Sequence, residues 1–207
     1  MPRDRGGALR ARAGAALTPR EPARRFAYYE RLSRRDQAVY RRSDAVTWLP
    51  VADASALAPV VERLGAALAR EDAAAVAVAS AEIAGRLARA LGAPAPVVEV
   101  LAVRPRHDWG ELHGLYTPQP EAARIVVWMR TARKARVVAF RTFLRTLLHE
   151  LCHHLDFEVL GLDRSFHTEG FFRRESSLFR QLVPEAGPAD PRRAPLPPGG
   201  GPRGRSP

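Results

Sequence analysis

Cysteine and lysine each occur only once in this chain, as Cys152 and Lys134, and long apolar runs do not occur. A single cysteine excludes an intrachain disulfide and fits a reducing compartment. A membrane span needs about 18 or more consecutive apolar residues, so none is expected. The charged N-terminus also lacks the apolar segment of a secretory signal. We therefore expect a cytoplasmic protein.

The net charge of +11 comes almost entirely from arginine and is concentrated near the two ends of the chain. Residues 1–25 contain seven Arg against two acidic residues, and residues 184–207 contain four Arg against two. The 158 residues between them carry a net charge of only +4. A basic protein can bind nucleic acid through its phosphates. Here only the tails favour such a partner, and the support is weak.

The clearest chemical signal is an H-E-x-x-H motif, because residues 149–153 read H-E-L-C-H within a strongly helical stretch, residues 136–160. On a helix, His149 and His153 project from the same face and can bind one Zn²⁺. Glu150 directly follows the first of them, a position from which it can act as general base on a water. His154 is rotated away and is predicted to be a surface residue or an outer neighbour of the pair. Cys152 is interpreted as a small buried apolar residue.

The pattern of the whole chain predicts an α+β fold. Hydrophobic periodicity predicts three helices before the motif, over residues 23–44, 54–70 and 71–91. Three short strands follow, over residues 96–103, 111–116 and 123–129. The last two strands can pair as a hairpin, and residues 104–110 are predicted to be a loop. Gly161 ends the motif helix, and a final helix over residues 167–182 completes the fold.

A catalytic zinc site has three protein ligands and one open position, so a third ligand must follow the motif. The candidates are Asp156, Glu158, Asp163, His167, Glu169 and Glu175. Asp156 and Glu158 lie on the motif helix itself, turned away from the His pair or too close to it. His167 is preferred because the chain can turn back before it. Glu175 is the alternative third ligand, followed by Glu169.

These features resemble the SprT-like zinc metallopeptidases. In that family H-E-x-x-H is followed by a spacer and a His, with Trp or Phe at the fourth position after that His. Here His167 follows the motif after 13 residues, and Phe171 comes four residues later. The resemblance covers roughly residues 96–182, including the hairpin before the motif helix. The chain differs in having Thr168 where many members have Gly, and in lacking a C-x-x-C zinc ribbon.

The resemblance implies a minimal zincin-like fold and a zinc metallopeptidase that cleaves a peptide or protein substrate. It also implies that His149, His153 and His167 bind zinc and that Glu150 is the general base. An oxyanion formed on the substrate needs a hydrogen-bond donor as well. The candidates for that donor, on the strand before the motif helix, are His113 and Tyr116.

Two other functions remain open. One is a non-catalytic module that zinc stabilises and that binds nucleic acid; a Glu beside the His pair is unnecessary there and argues against it. The other is a zinc hydrolase of a non-peptide amide, which the sequence does not separate from a peptidase.

The predicted organisation is a disordered basic tail (1–22), a helical region (23–95), a metal-binding catalytic region (96–183) and a Pro/Gly-rich disordered tail (184–207). The two middle regions are expected to form one globular domain.

Overall fold

The computed structural model describes residues 26–107 and 110–184. The tail predicted over residues 1–22 lies outside these ranges, as does all of the C-terminal tail except Pro184. The predicted disorder of the tails, and any nucleic-acid binding through them, therefore stays a prediction. Within the described ranges no helix is long and apolar enough to cross a membrane.

The described residues form five α-helices and five strands, so the predicted α+β class is confirmed. The helices are α1 (Arg34–Ala45), α2 (Ala58–Ala69), α3 (Ala73–Ala90), α4 (Phe140–Glu158) and α5 (Glu169–Leu182). The strands are β1 (Val97–Val103), β2 (Arg106–His107), β3 (Gly110–Glu111), β4 (Gly114–Thr117) and β5 (Arg124–Arg130).

The main sheet has three strands in the order β1-β5-β4, with β5 in the centre. β4 and β5 pair antiparallel, which confirms the predicted hairpin, while β1 runs parallel to β5. The helix-facing side chains of β5 are buried, including Ile125 and Val127 at 0% exposure. β2 and β3 form a separate two-stranded sheet, so the predicted loop over residues 104–110 was wrong in part. The strand predicted over residues 111–116 therefore corresponds to β4, which starts at Gly114 and not at residue 111.

One hydrophobic core joins the N-terminal helices to the motif helix. Leu64 of α2 and Leu87 of α3 belong to the same buried cluster as Leu147 and Leu151 of α4. Each of these four side chains is completely buried. Because α4 crosses this core, its position and rotation are fixed from several sides, and so is the direction in which the motif residues project.

The first predicted helix, over residues 23–44, was wrong over residues 26–33, and residues 23–25 lie outside the described ranges. Residues 29–31 form a short 3-10 turn, Leu32 is extended, and α1 begins only at Arg34. The reason is a helix cap, because the Ser33 side chain accepts a hydrogen bond from the Asp36 N–H at 3.1 Å. A capping serine satisfies one of the unpaired N–H groups at a helix start and so fixes where the helix begins.

The motif helix and the final helix are both shorter than predicted. The end of the first and the start of the second are each marked by a residue that suits that position. Gly161 has φ +56°, a left-handed conformation that suits glycine after a helix. Thr168 caps α5 by accepting a hydrogen bond from the Phe171 N–H at 2.9 Å. His167 therefore lies just before α5 and not within it.

Candidate metal centre

Three histidine side chains meet where α4 faces the segment before α5. Nε2 of His167 lies 3.0 Å from Nε2 of His149 and 3.1 Å from Nε2 of His153. These groups lie within 4.8 Å of one another and can together hold a metal ion. For comparison, two nitrogen ligands of a tetrahedral zinc are about 3.3 Å apart, given Zn–N distances of about 2.0–2.1 Å. The structure thus brings the predicted His pair together with the preferred third residue.

Hydrogen bonds on the other side of the rings set the positions of their protons. Nδ1 of His149 lies 3.2 Å from Oε2 of Glu175. Because a carboxylate accepts, this Nδ1 donates and Nε2 keeps its lone pair. Nδ1 of His153 lies 2.7 Å from Oγ of Ser165, which donates its own proton to Asp156 at 2.6 Å. Nδ1 of His153 is therefore also the donor, and both Nε2 lone pairs point to the same place.

This arrangement fits a bound cation better than a set of hydrogen bonds among histidines. A neutral His167 can donate from Nε2 to only one of its two neighbours, although it lies close to both. The other nitrogen pair would then have no proton between its atoms. A metal ion that accepts all three lone pairs removes this conflict. Three imidazole nitrogens are a donor set that suits zinc and also copper, iron and nickel.

Burial keeps the histidines in the form that binds metals. Burial lowers the pKa of His153 to about 3, with smaller contributions in the same direction from the neighbouring His149, His167 and Arg174. Burial and His149 also lower the pKa of His167. Both imidazoles are consequently neutral at neutral pH, with lone pairs available for a metal.

The ring of Phe171 packs against all three histidine rings. Its ring centroid lies 4.9 Å from that of His149, 4.7 Å from His153 and 5.1 Å from His167, and Phe171 is completely buried. Phe172 stacks on the other side of His167 at 5.8 Å. The aromatic pair one turn after His167 therefore restricts the rings.

A buried ion pair supports His153 through Ser165, and the sequence analysis missed it. Asp156 accepts from Ser165 with one oxygen and from Arg174 with the other, at 2.7 Å. The side chains of Asp156 and Arg174 are both 0% exposed. Arg174 also donates to the backbone oxygens of Ser43 and Val46, each at 2.5 Å. Its position in the sequence was a usable signal, because an arginine there interrupts the apolar stripe of α5.

Residues 26–46 hold the segment that carries His167. The Tyr28 hydroxyl donates to the His167 backbone oxygen at 2.8 Å. Arg42 donates to the backbone oxygens of Leu160 and Gly161, at 3.2 and 3.3 Å. At the start of α5, the N–H of Gly170 donates to Asp44 at 2.8 Å. The N-terminal region thus orders the loop between α4 and α5, a role that its sequence did not indicate.

Glu150 lies beside the histidines with its carboxylate against β4. A Cβ added to Gly114 would overlap that carboxylate, so glycine makes room for it. Burial raises the pKa of Glu150 to about 7, while His149 and a hydrogen bond from the Tyr116 backbone N–H oppose the shift. A carboxylate held beside the His pair and shielded from bulk water can take up and release a proton there.

The two candidate oxyanion donors lie in different surroundings. The Tyr116 hydroxyl is 3.4 Å from Nδ1 of His154, whose Nε2 donates to the Pro94 backbone oxygen at 2.8 Å. His154 therefore accepts from Tyr116, and the hydroxyl proton is already used within the protein. His154 is 1% exposed, so of its two predicted positions, at the surface or as an outer neighbour of the His pair, the surface position is wrong. His113 is exposed and lines the cleft above the site.

The other acidic candidates do not face the point where the Nε2 atoms meet. Glu175 contacts the Nδ1 side of His149. Glu169 pairs with Arg173, Asp163 pairs with Arg35, and Glu158 is exposed. Cys152 is completely buried, as predicted, and burial raises the pKa of its thiol.

The histidines lie in an open cleft of about 750 Å³ between α4 and β4. Toward the start of α4 the cleft is lined by Thr142, Arg145 and Thr146. Toward the end of α4 it is lined by Tyr116, Pro118 and Phe157, and the rings of Tyr116 and Phe157 stack at 5.8 Å. The cleft thus has a polar end and an apolar end, with the metal centre between them.

Comparisons of the chain with family models, curated proteins and solved structures found no match. The interpretation of the site therefore depends on its own geometry and chemistry. The resemblance to the SprT-like peptidases remains a hypothesis based on the motif and its spacing.

Ser165→Ala should weaken metal binding about tenfold, because outer hydrogen-bond partners of a ligand usually contribute 10- to 100-fold to affinity. The variant leaves His153 without its acceptor, and its ring is then less well oriented. Competition with a chromophoric zinc chelator measures the change. Ser80→Ala is the matched control, since Ser80 is a buried serine that bonds only within α3, to the Val76 oxygen at 2.7 Å. Equal affinities for the two variants would show that Ser165 does not support the site.

Proposed function

We propose that this protein is a zinc-dependent peptidase of the SprT-like kind. The observation that carries the proposal is the meeting of three imidazole lone pairs in an open cleft, with Glu150 beside them. Structural zinc sites are usually closed by four protein ligands, whereas catalytic sites use three and leave one position free. The histidines His149, His153 and His167 would hold the ion.

Zinc bound there would supply Lewis acidity, which lowers the pKa of a water molecule to about 7 and polarises a carbonyl group. Glu150 takes the proton from the attacking water and passes it to the leaving amine. Its position beside the histidines, where it is 6% exposed, favours this role. Gly114 and the backbone of Tyr116 keep the carboxylate in place during the transfer.

An extended peptide can bind along β4. Among the described strands β4 pairs only with β5, and it lies at the edge of the three-stranded sheet, next to α4. Edge strands bind extended chains through main-chain hydrogen bonds, while the cleft receives alternate side chains. This arrangement brings a backbone amide over the metal centre and favours a peptide over a small amide as the substrate.

The pattern that supports the SprT-like kind is the H-E-x-x-H motif followed by His167 and Phe171. Phe171 contacts all three histidine rings, which gives a physical reason for an aromatic residue at that position. Thr168, where many members of the family have Gly, caps α5 here and is compatible with the same arrangement. A purely structural zinc site would not need the glycine that accommodates Glu150.

The purified protein should contain about one zinc per chain and cleave unfolded proteins such as casein. Removal of the metal with a chelator should abolish cleavage, and one equivalent of zinc should restore it, because the metal provides the Lewis acid. Gel analysis and metal quantification give the two readouts. A protein that binds zinc tightly but cleaves no peptide or protein would contradict the proposal and favour the structural or non-peptide alternatives.

A further inference from the structure

Arg145 is the only arginine or lysine among the described residues that line the cleft. It projects from α4 four residues before His149, so the two side chains lie on the same face of the helix. Its side chain is 43% exposed, which leaves the guanidinium accessible from the cleft. Nothing in the proposed chemistry uses this cation.

The guanidinium of Arg145 is held in a fixed orientation. Its Cζ atom lies 4.2 Å from the ring centroid of Phe179, a residue that is 1% exposed. A single hydrogen bond joins it to Glu175 at 3.3 Å. Since a guanidinium has five N–H donors, most of them remain available for a ligand. A stacked and partly anchored arginine is well suited to bind a carboxylate.

The neighbouring Glu175 does not prevent Arg145 from binding a carboxylate of a substrate. Its side chain is only 12% exposed, and its two oxygens are directed at Arg145 and at Nδ1 of His149. Glu175 also lines the cleft, but both of its oxygens are already paired within the protein, and its side chain is less exposed than that of Arg145. At the opposite end of the cleft the wall is apolar and offers a substrate carboxylate no cation.

The position of Arg145 defines which substrate residue it meets. Four residues of α-helix separate it from His149, a distance of about 6 Å along the axis. An extended peptide advances about 3.3 Å per residue. For a peptide that runs along α4, a side chain that reaches Arg145 therefore belongs to a residue about two positions from the bond over the metal centre.

We propose that Arg145 binds a substrate carboxylate, so that the site prefers peptides with Asp or Glu about two residues from the cleaved bond, on one side of it. This inference rests on the proposed peptidase function. The ligand class is an acidic peptide, bound by charge-assisted hydrogen bonds at the polar end of the cleft.

The test begins with cleavage of a peptide library made from denatured cell proteins, in which acidic residues should be enriched at this position on one side of the cleaved bond. Two matched peptides, with Glu or Gln at that position, are then titrated against the zinc-loaded Glu150→Gln protein, which binds without turnover. We expect the Glu peptide to bind about tenfold more tightly, the effect of one charge-assisted hydrogen bond. Arg145→Met should abolish this difference while zinc content stays unchanged.

Arg141→Met is the matched control. Arg141 lies on the same helix, with its Cζ atom 4.9 Å from the centroid of the same Phe179 ring, but it does not line the cleft. The control should keep the preference for the Glu peptide, and Arg145→Glu should reverse it in favour of a Lys peptide. Equal weakening of both peptides by Arg145→Met would mean that Arg145 acts only through Glu175 and would overturn the inference. Cleavage of the library without acidic enrichment would also overturn the inference about Arg145 but would leave the peptidase function intact. A protein that neither binds nor cleaves peptides would overturn both the inference and the peptidase function.

Discussion

Glu150→Gln should keep about one zinc per chain while peptide turnover falls by about 100-fold or more. The amide has nearly the size of the carboxylate and can occupy the space beside Gly114, but it cannot accept the proton of the attacking water. Three histidines can hold a metal ion without help from this side chain, so zinc content should not change. Steady-state kinetics on a fluorogenic peptide and metal quantification on the same sample measure both quantities.

The control for this experiment is Glu158→Gln, because Glu158 lies on the same helix but is exposed and outside the cleft. It should retain nearly full turnover. If Glu150→Gln loses zinc together with activity, Glu150 is a ligand or a structural group and the proposed role as general base is wrong. If Glu150→Gln keeps both its zinc and its peptide turnover, the chemistry does not need a base at this position.

Local patterns in the sequence were sufficient for the central helix and for the hairpin. The apolar stripe of α4 is continuous, and the leucines in it are completely buried, namely Leu144, Leu147, Leu148, Leu151 and Leu155. The spacing of His149 and His153 then determines that both face the same side. The hairpin was predictable because β4 and β5 are close in sequence and joined by a short turn. These features depend on contacts within a few residues.

Features that depend on distant contacts were not predictable in this way. Arg174 meets the Ser43 backbone oxygen across 131 positions of the chain, and Tyr28 meets the His167 backbone oxygen across 139. No periodicity connects such residues, so the contribution of residues 26–46 to the site was missed. The parallel pairing of β1 with β5 likewise depends on how the helices pack on the sheet. His154 was misjudged because its partner, the Pro94 oxygen, lies 60 positions away.

The third ligand can be identified by comparing two substitutions. His167→Ala should lower zinc affinity by more than 100-fold, beyond the roughly 10- to 100-fold effect of losing an outer hydrogen-bond partner. The reason is that Nε2 of His167 faces the Nε2 atoms of both other histidines at 3.0–3.1 Å. Glu175→Gln should retain affinity close to that of the wild type, because its amide oxygen can still accept from Nδ1 of His149.

Chelator competition measures both affinities, with His113→Ala as a control for removing a histidine from the same cleft but not from the triad. That control should bind zinc as the wild type does. A large loss in Glu175→Gln with little loss in His167→Ala would assign the third position to a carboxylate on α5. The site would then have two His and one Glu as ligands, and the carboxylate would have to leave its present contact with Nδ1 of His149 to reach the metal. His167 would in that case be free to donate a hydrogen bond to the substrate oxyanion.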